Sequence, residues 1–201
     1  MEQICNQILL RGELEALPVF SHESHGRRFS RFSLAVERLS GAVDVLGCVA
    51  PEELVQALDP SGGGMIELQG QVRSFNNRSG EGRRLVITAY AEQLRRCAGG
   101  PANEVTLLGS ICRPPVFRRT PLGREICDIM LAVNRPYRRA DYLPCILWGR
   151  TAQQCAGLAV GSPLALTGRL QSRVYVKLLP DRAEERIAYE ISAITAGPAE
   201  A

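Results

Sequence analysis

The 201-residue chain is predicted to be all-β with one short helix per domain, arranged as two tandem five-stranded Greek-key barrels. Two observations carry that prediction. The chain aligns with itself, without a gap, at a shift of about 97 residues, and each copy reads as short strands with one helical segment between the third and the fourth.

The self-match runs "NQILLRGELEALPVFSHESHGRRFSRFSLAVERLSGAVDVLGC" against "NEVTLLGSICRPPVFRRTPLGREICDIMLAVNRPYRRADYLPC". Asn6 pairs with Asn103, Gly12 with Gly109, Pro18-Val19-Phe20 with Pro115-Val116-Phe117, and Gly26 with Gly123. Further on, Leu34-Ala35-Val36 pairs with Leu131-Ala132-Val133, Arg38 with Arg135, Asp44 with Asp141, and Cys48 with Cys145. So many matches in one register mark a duplication. The expected division is an N-terminal barrel over 1–97, a linker at 98–102 holding Gly99-Gly100-Pro101, and a C-terminal barrel over 103–197.

Within a copy, "EVTLLGSI" and "DIMLAVNR" alternate apolar and polar residues at period two. "YLPCILWG" and "LALTGRLQSRVYVKLL" are rich in β-branched, aromatic or leucine residues. The helix fits between the third and fourth strands. "PEELVQALD" opens with Pro51 and two acids, suited to a helix N-terminus, and "RTAQQCAGLAV" occupies the same place in the second copy. Ser61-Gly62-Gly63-Gly64 and Gly161-Ser162 then stop the two helices. Five strands with a helix in that position is the plan of an OB-fold.

Composition is that of a globular protein, 45% hydrophobic and 22% charged. No apolar run approaches the roughly 20 residues of a membrane span, and a cytoplasmic protein is expected. Seven cysteines without a Cys-x-x-Cys pair, and histidines only at 22 and 25, support neither a zinc site nor a disulfide framework. No metal, no cofactor and no enzymatic activity are expected. Phosphate loops, nucleophile elbows and paired carboxylates are missing from the sequence, and Cys145 falls inside a strand with no histidine in its own copy.

Charge separates the copies. Residues 1–99 carry 11 basic and 12 acidic side chains, or −1; residues 100–201 carry 13 and 9, or +4. The excess gathers in "NRPYRRADYLPCILWGR", which holds the only tryptophan and two of the five tyrosines. A tryptophan in an apolar run is ordinarily core. Alternation argues otherwise: with Cys145 and Leu147 inward, Tyr142, Ile146 and Trp148 face outward, and an exposed tryptophan needs a use.

At these residues the second copy resembles the bacterial and phage single-stranded DNA-binding (SSB) family. The resemblance rests on the opening N-x-V-x-L-x-G, on "LAVNR", on "WGR" leading to Ala152, and on "GS", "TGRLQSR" in that order over about ninety residues. It implies an OB-fold that wraps single-stranded DNA without strong sequence preference and serves replication, recombination or repair. Carried over by position, Tyr137, Tyr142, Trp148 and Tyr175 fall where the family's stacking aromatics lie. Arg150, Arg169 and Arg173 fall at or beside its basic positions, and Arg135, Arg138, Arg139 and Lys177 complete the expected DNA-binding set. Base-on-ring stacking is sequence-tolerant, worth about 1–3 kcal/mol per base, and arginines add salt-dependent affinity through counterion release.

The first copy departs from this pattern. Ser40, Val45, Pro51 and about Asn77 stand in place of the four rings. Weaker candidates remain in "GRRFSRFSLAV" and "QVRSFNNRSGEGRR": Phe29, Arg31, Arg73, Phe75 and Arg84. Phe29 either stacks a base from an exposed face shared with Arg27 and Arg31 or packs at the barrel end, and the first copy either binds DNA weakly or provides an association surface. Phe20 and Phe117, retained in both copies, are expected to pack beneath the first loop.

The resemblance further implies a homodimer, giving four OB-folds. The sequence ends in "ITAGPAEA", so recruitment through the acidic C-terminal tail of many family members is not expected. The rival reading is an OB-fold protein-interaction or primosomal adaptor with secondary nucleic-acid binding.

Overall fold

The computed structural model describes residues 5–77, 85–178 and 182–199. The first half comprises β1 (Cys5–Leu14), β2 (Val19–Ser24), β3 (Arg27–Glu37), β4 (Val43–Pro51), α1 (Glu52–Leu58), β5 (Met65–Asn76) and β6 (Leu85–Arg96). The second repeats the order with β7 (Ala102–Ile111), β8 (Val116–Arg119), β9 (Glu125–Arg135), β10 (Arg139–Trp148), α2 (Gly149–Cys155), β11 (Pro163–Leu178) and β12 (Ala183–Pro198).

Each half closes on itself. Along the first ring, β1 pairs with β5, β5 with β6, β6 in parallel with β4, β4 with β3, and β3 returns to β1 at Glu13↔Ala35. The second ring follows the same course, β7 meeting β9 at Ser110↔Ala132. Closure explains one matched residue. A Cβ on Gly12 would lie 2.5 Å from the Ala35 carbonyl oxygen, and one on Gly109 the same distance from that of Ala132, so only glycine lets the strands meet. Both barrels are OB-folds with one short helix, as the sequence predicts.

Inward residues fill the barrels: Leu10, Leu34, Leu46 and Leu68 in the first, Leu107, Leu131, Leu143, Leu147 and Leu170 in the second. Helix α1 buries Val55 and Leu58 against the barrel, and α2 buries Ala152 and Cys155. Among the described residues each half has six strands, not five. The extra ones, β2 and β8, are short edge strands too polar to stand out by periodicity. They carry Phe20 and Phe117, which are exposed rather than packed beneath a loop; Phe20 instead lies under the Arg28 guanidinium, 4.6 Å from ring centroid to carbon.

The halves join along β1 and β7, which pair antiparallel from Cys5↔Leu108 to Arg11↔Ala102. Ile8 faces Val105, its own counterpart at the repeat shift, so a local two-fold axis passes between them. Reciprocal buried carboxylates reinforce the joint. Asp44 accepts from Arg38 and from the Ser172 N–H (2.7 Å) and hydroxyl (3.0 Å) of the other half. Asp141 accepts from the Ser74 N–H (2.7 Å) and from Arg73 and Arg135, each at 3.2 Å. Burial would push the Asp44 carboxyl up, but Arg38 and Ser172 more than offset it and the net shift is downward.

Candidate nucleic-acid interface

The β9–β10 hairpin turns through Pro136, Tyr137 and Arg138, and the last two are left-handed, at φ 63° and 56°. Neither is glycine, so the turn is strained by about 1–2 kcal/mol per residue. At the place of Arg138 the first half has Gly41, at φ 80°. Tyr137 is 94% exposed at the tip. The second half has a cation where the first has the residue cheaper for this backbone, and a ring is held out into water beside it.

Strand β10 carries the next rings. Cys145 and Leu147 point inward, which sends Tyr142 and Trp148 to the outer face. Tyr142 is 50% exposed. Trp148 is half-buried opposite Ile126, and its Nε1–H donates to Ser192 Oγ at 3.1 Å, which fixes the plane of the ring. Ile146, on the same face, is buried. Arg150 stands exposed at the start of α2, one residue past Gly149.

Tyr175 is half-buried in β11, with the Arg173 guanidinium 5.7 Å from its ring; Arg173 also pairs with Glu190 at 3.5 Å. Arg169 is half-buried, and its Nε is the buried side-chain polar atom left without a hydrogen-bond partner among the described residues. Arg138, Arg139 and Arg150 make no ion pair among the described residues, leaving them open to an anion.

Several candidates are placed otherwise than expected. Arg135 and Arg73 are both turned to buried Asp141: Arg135 pairs with it inside the second half, and Arg73 reaches it from the first, tying the two halves together. Phe29 is only 9% exposed: the ring of His22 covers it at 4.9 Å with 9° between planes, and Tyr90 lies 6.3 Å away. The exposed face expected for Phe29 is therefore taken by His22. Phe75 is 53% exposed and Arg31 is exposed. Arg84 and the side chain of Lys177 lie outside the described residues.

Sequence reading missed His22 and Tyr90. For His22 the signal was present: left-handed His25 and Gly26 form a two-residue turn, and folding the hairpin about it sets His22 opposite Phe29. Burial pushes the Cys48 thiol up to about 12 and raises that of Cys145 further, which disfavours the thiolate at both. Among the described residues no group of histidine, cysteine and carboxylate side chains is placed to hold a metal. No helix is long and apolar enough to cross a membrane among them.

Two closed barrels of this topology, one with rings and unpaired arginines on its outer sheet, define a tandem OB-fold protein. Residues 102–196 match the model of the Single-strand binding protein family. The single-stranded DNA-binding protein B of Bacillus subtilis is 36% identical over 80 residues, 36% of this chain and 71% of that protein. That of Halalkalibacterium halodurans is 39% identical over 80 residues, 36% of this chain and 48% of the relative. The chain belongs to the single-strand binding protein family. It spans about half the length of the first curated relatives it matches. Across 99% of this chain and 97% of the other, the fold is similar to that of the single-stranded DNA binding protein from Thermus aquaticus, with a TM-score of 0.76 at 23% identity.

Proposed function

We propose that the chain binds single-stranded DNA with little sequence preference, protecting it at the nucleoid during replication, recombination or repair. Bases stack on Tyr137, Tyr142, Trp148 and Tyr175, while Arg138, Arg139, Arg150, Arg169, Arg173 and Lys177 meet the backbone. The observation that carries this reading is the strained Tyr137-Arg138 turn, where a ring and a cation are displayed on left-handed backbone, the second of them at a position where the other half has glycine. The functional division follows the repeat, with barrels over 1–97 and 103–197 and the linker 98–102 between them, and a homodimer brings four OB-folds together.

Fluorescence of Trp148, the only tryptophan, tests the reading. Oligo-dT quenches it, duplex DNA of equal length does not, and Trp148→Ala weakens binding by roughly one stacked base, about 1–3 kcal/mol. Affinity falls with salt at a log–log slope near −0.7 for each phosphate neutralised. Unchanged fluorescence at saturating oligonucleotide would sink the stacking role and favour the adaptor.

A further inference from the structure

The first half lacks a ring at each position matched to the second half's four, yet it has rings on the corresponding face. In the second half Trp148 of β10 is in register with Ile126 of β9. The equivalent pair in the first half is Pro51 of β4 against Phe29 of β3. The aromatic has moved across one strand pair. Its support has moved as well: Ser192, which holds the Trp148 N–H, is next to Ile146, and the residue in the same register in the first half, next to Val49, is Tyr90.

These shifts assemble a stack. His22 lies on Phe29, and Phe29 leans on Tyr90. Arg27 sits 5.9 Å over Phe29, and Arg73 sits 5.6 Å over Tyr90. Only the outer ring, His22, is exposed.

Beside the stack runs a trough of about 560 Å³ whose lining includes Arg31, Gly47, Val49, Phe75 and, from the second half, Tyr189. Gly47 stands at the repeat position of Pro144 and has nothing within 4 Å of where a Cβ would be, so the floor is open. Arg31 is exposed on the trough with no acidic partner among the described residues. At its far end Phe75 adjoins Ser74, whose hydroxyl accepts the Tyr142 N–H at 2.7 Å. The trough therefore ends near the joint between the halves, where Tyr189 of the second half lines it.

We propose that this surface is a second, separately built single-strand site: His22 stacks a base with Phe29 and Tyr90 behind it, the trough takes the next, and Arg31 meets a phosphate. It rests on the single-strand reading above. An unpaired cation beside stacked rings and an open apolar floor fits a nucleic-acid strand, which presents phosphates and π-faces together.

The test uses the full chain and dT oligonucleotides of two lengths. The short one is about 10 nucleotides, within the roughly 4–16 that one OB-fold engages, and the long one is about three times that length. His22→Ala is expected to leave short-oligonucleotide quenching of Trp148 unchanged. It lowers affinity for the long oligonucleotide about tenfold, as expected for one lost base stack, and shortens the length occluded per chain. His22→Phe, which keeps a ring, restores both. Long-oligonucleotide affinity and occluded length equal to the parent's in His22→Ala would overturn the second site while leaving the first intact. Failure of the parent protein to bind or quench with either oligonucleotide overturns instead the reading on which the second site rests.

Discussion

Replacing Arg138 by glycine separates what the β9–β10 turn does for binding from what it costs the fold. Left-handed backbone at φ 56° disfavours a residue with a Cβ by about 1–2 kcal/mol, and glycine removes that penalty. Glycine also loses more freedom on folding, about 0.5–1 kcal/mol, which offsets part of the gain. The net expectation is a stabilisation near 0.5 kcal/mol. For a chain of this size that is a rise in Tm of about 1–2 °C. The first half has glycine, Gly41 at φ 80°, at the matching position, although Ser40 before it is not left-handed.

Binding moves the other way. Loss of one phosphate contact reduces the salt slope for single strands by about 0.7. The assay is calorimetric unfolding alongside oligo-dT titration at several salt concentrations, with Arg138→Ala as the comparison. Alanine removes the same charge but keeps the strain, so the two variants match in binding and differ in stability. A lowered Tm in Arg138→Gly, or an unchanged salt slope in both, would refute the idea that the turn is strained to present a cation.

Two further perturbations probe the frame that holds the site. Asp141→Ala strands Arg73, Arg135 and the Ser74 N–H, and breaking a buried pair of this kind costs about 3 kcal/mol; the midpoint of urea unfolding reads it, and a loss below about 1 kcal/mol would contradict the structural role. Glu67 accepts from Arg11 at 2.6 Å and from Arg95 at 2.5 Å, which pulls its carboxyl from the ordinary 4.5 down to about 2. A depressed carboxylate stabilises the fold fully above its unfolded value and loses that contribution as pH falls from about 4.5 toward 2. Glu67→Gln should therefore flatten the pH dependence of stability in that window, and an equally steep acid loss in the variant would assign it to other groups.

The repeat alignment was informative where a side chain meets backbone. Asn6 both donates to and accepts from Val72 at 2.8 Å, and Asn103 does the same for Leu170 at 2.9 Å or less. Gly12 admits the Ala35 carbonyl, and Asp44 caps the Ser172 N–H. Backbone is the same in both copies, so these residues are too. Alternation likewise placed Tyr142 and Trp148 outward. What it left hidden was whatever packs across a face. Nothing in the period of β3 says that His22 covers Phe29, and nothing local to Arg135 says that its partner carboxylate is also shared with Arg73 of the other half.

That contrast explains how the two barrels diverged. A residue at the joint faces its own repeat counterpart, as Ile8 faces Val105, or the backbone of the other barrel, as Asp44 and Asp141 reach Ser172 and Ser74, so a change there disturbs both barrels at once. Residues on the outer sheets face solvent and can change one barrel at a time. The second half concentrates rings and unpaired arginines on β10 and its turns; the first half moves its ring one strand over and covers it with histidine. The shared frame still links the two surfaces, because Ser74 of the first half supports the backbone of Tyr142 in the second. Divergence could therefore alter each barrel's outer surface without altering how the two barrels are joined.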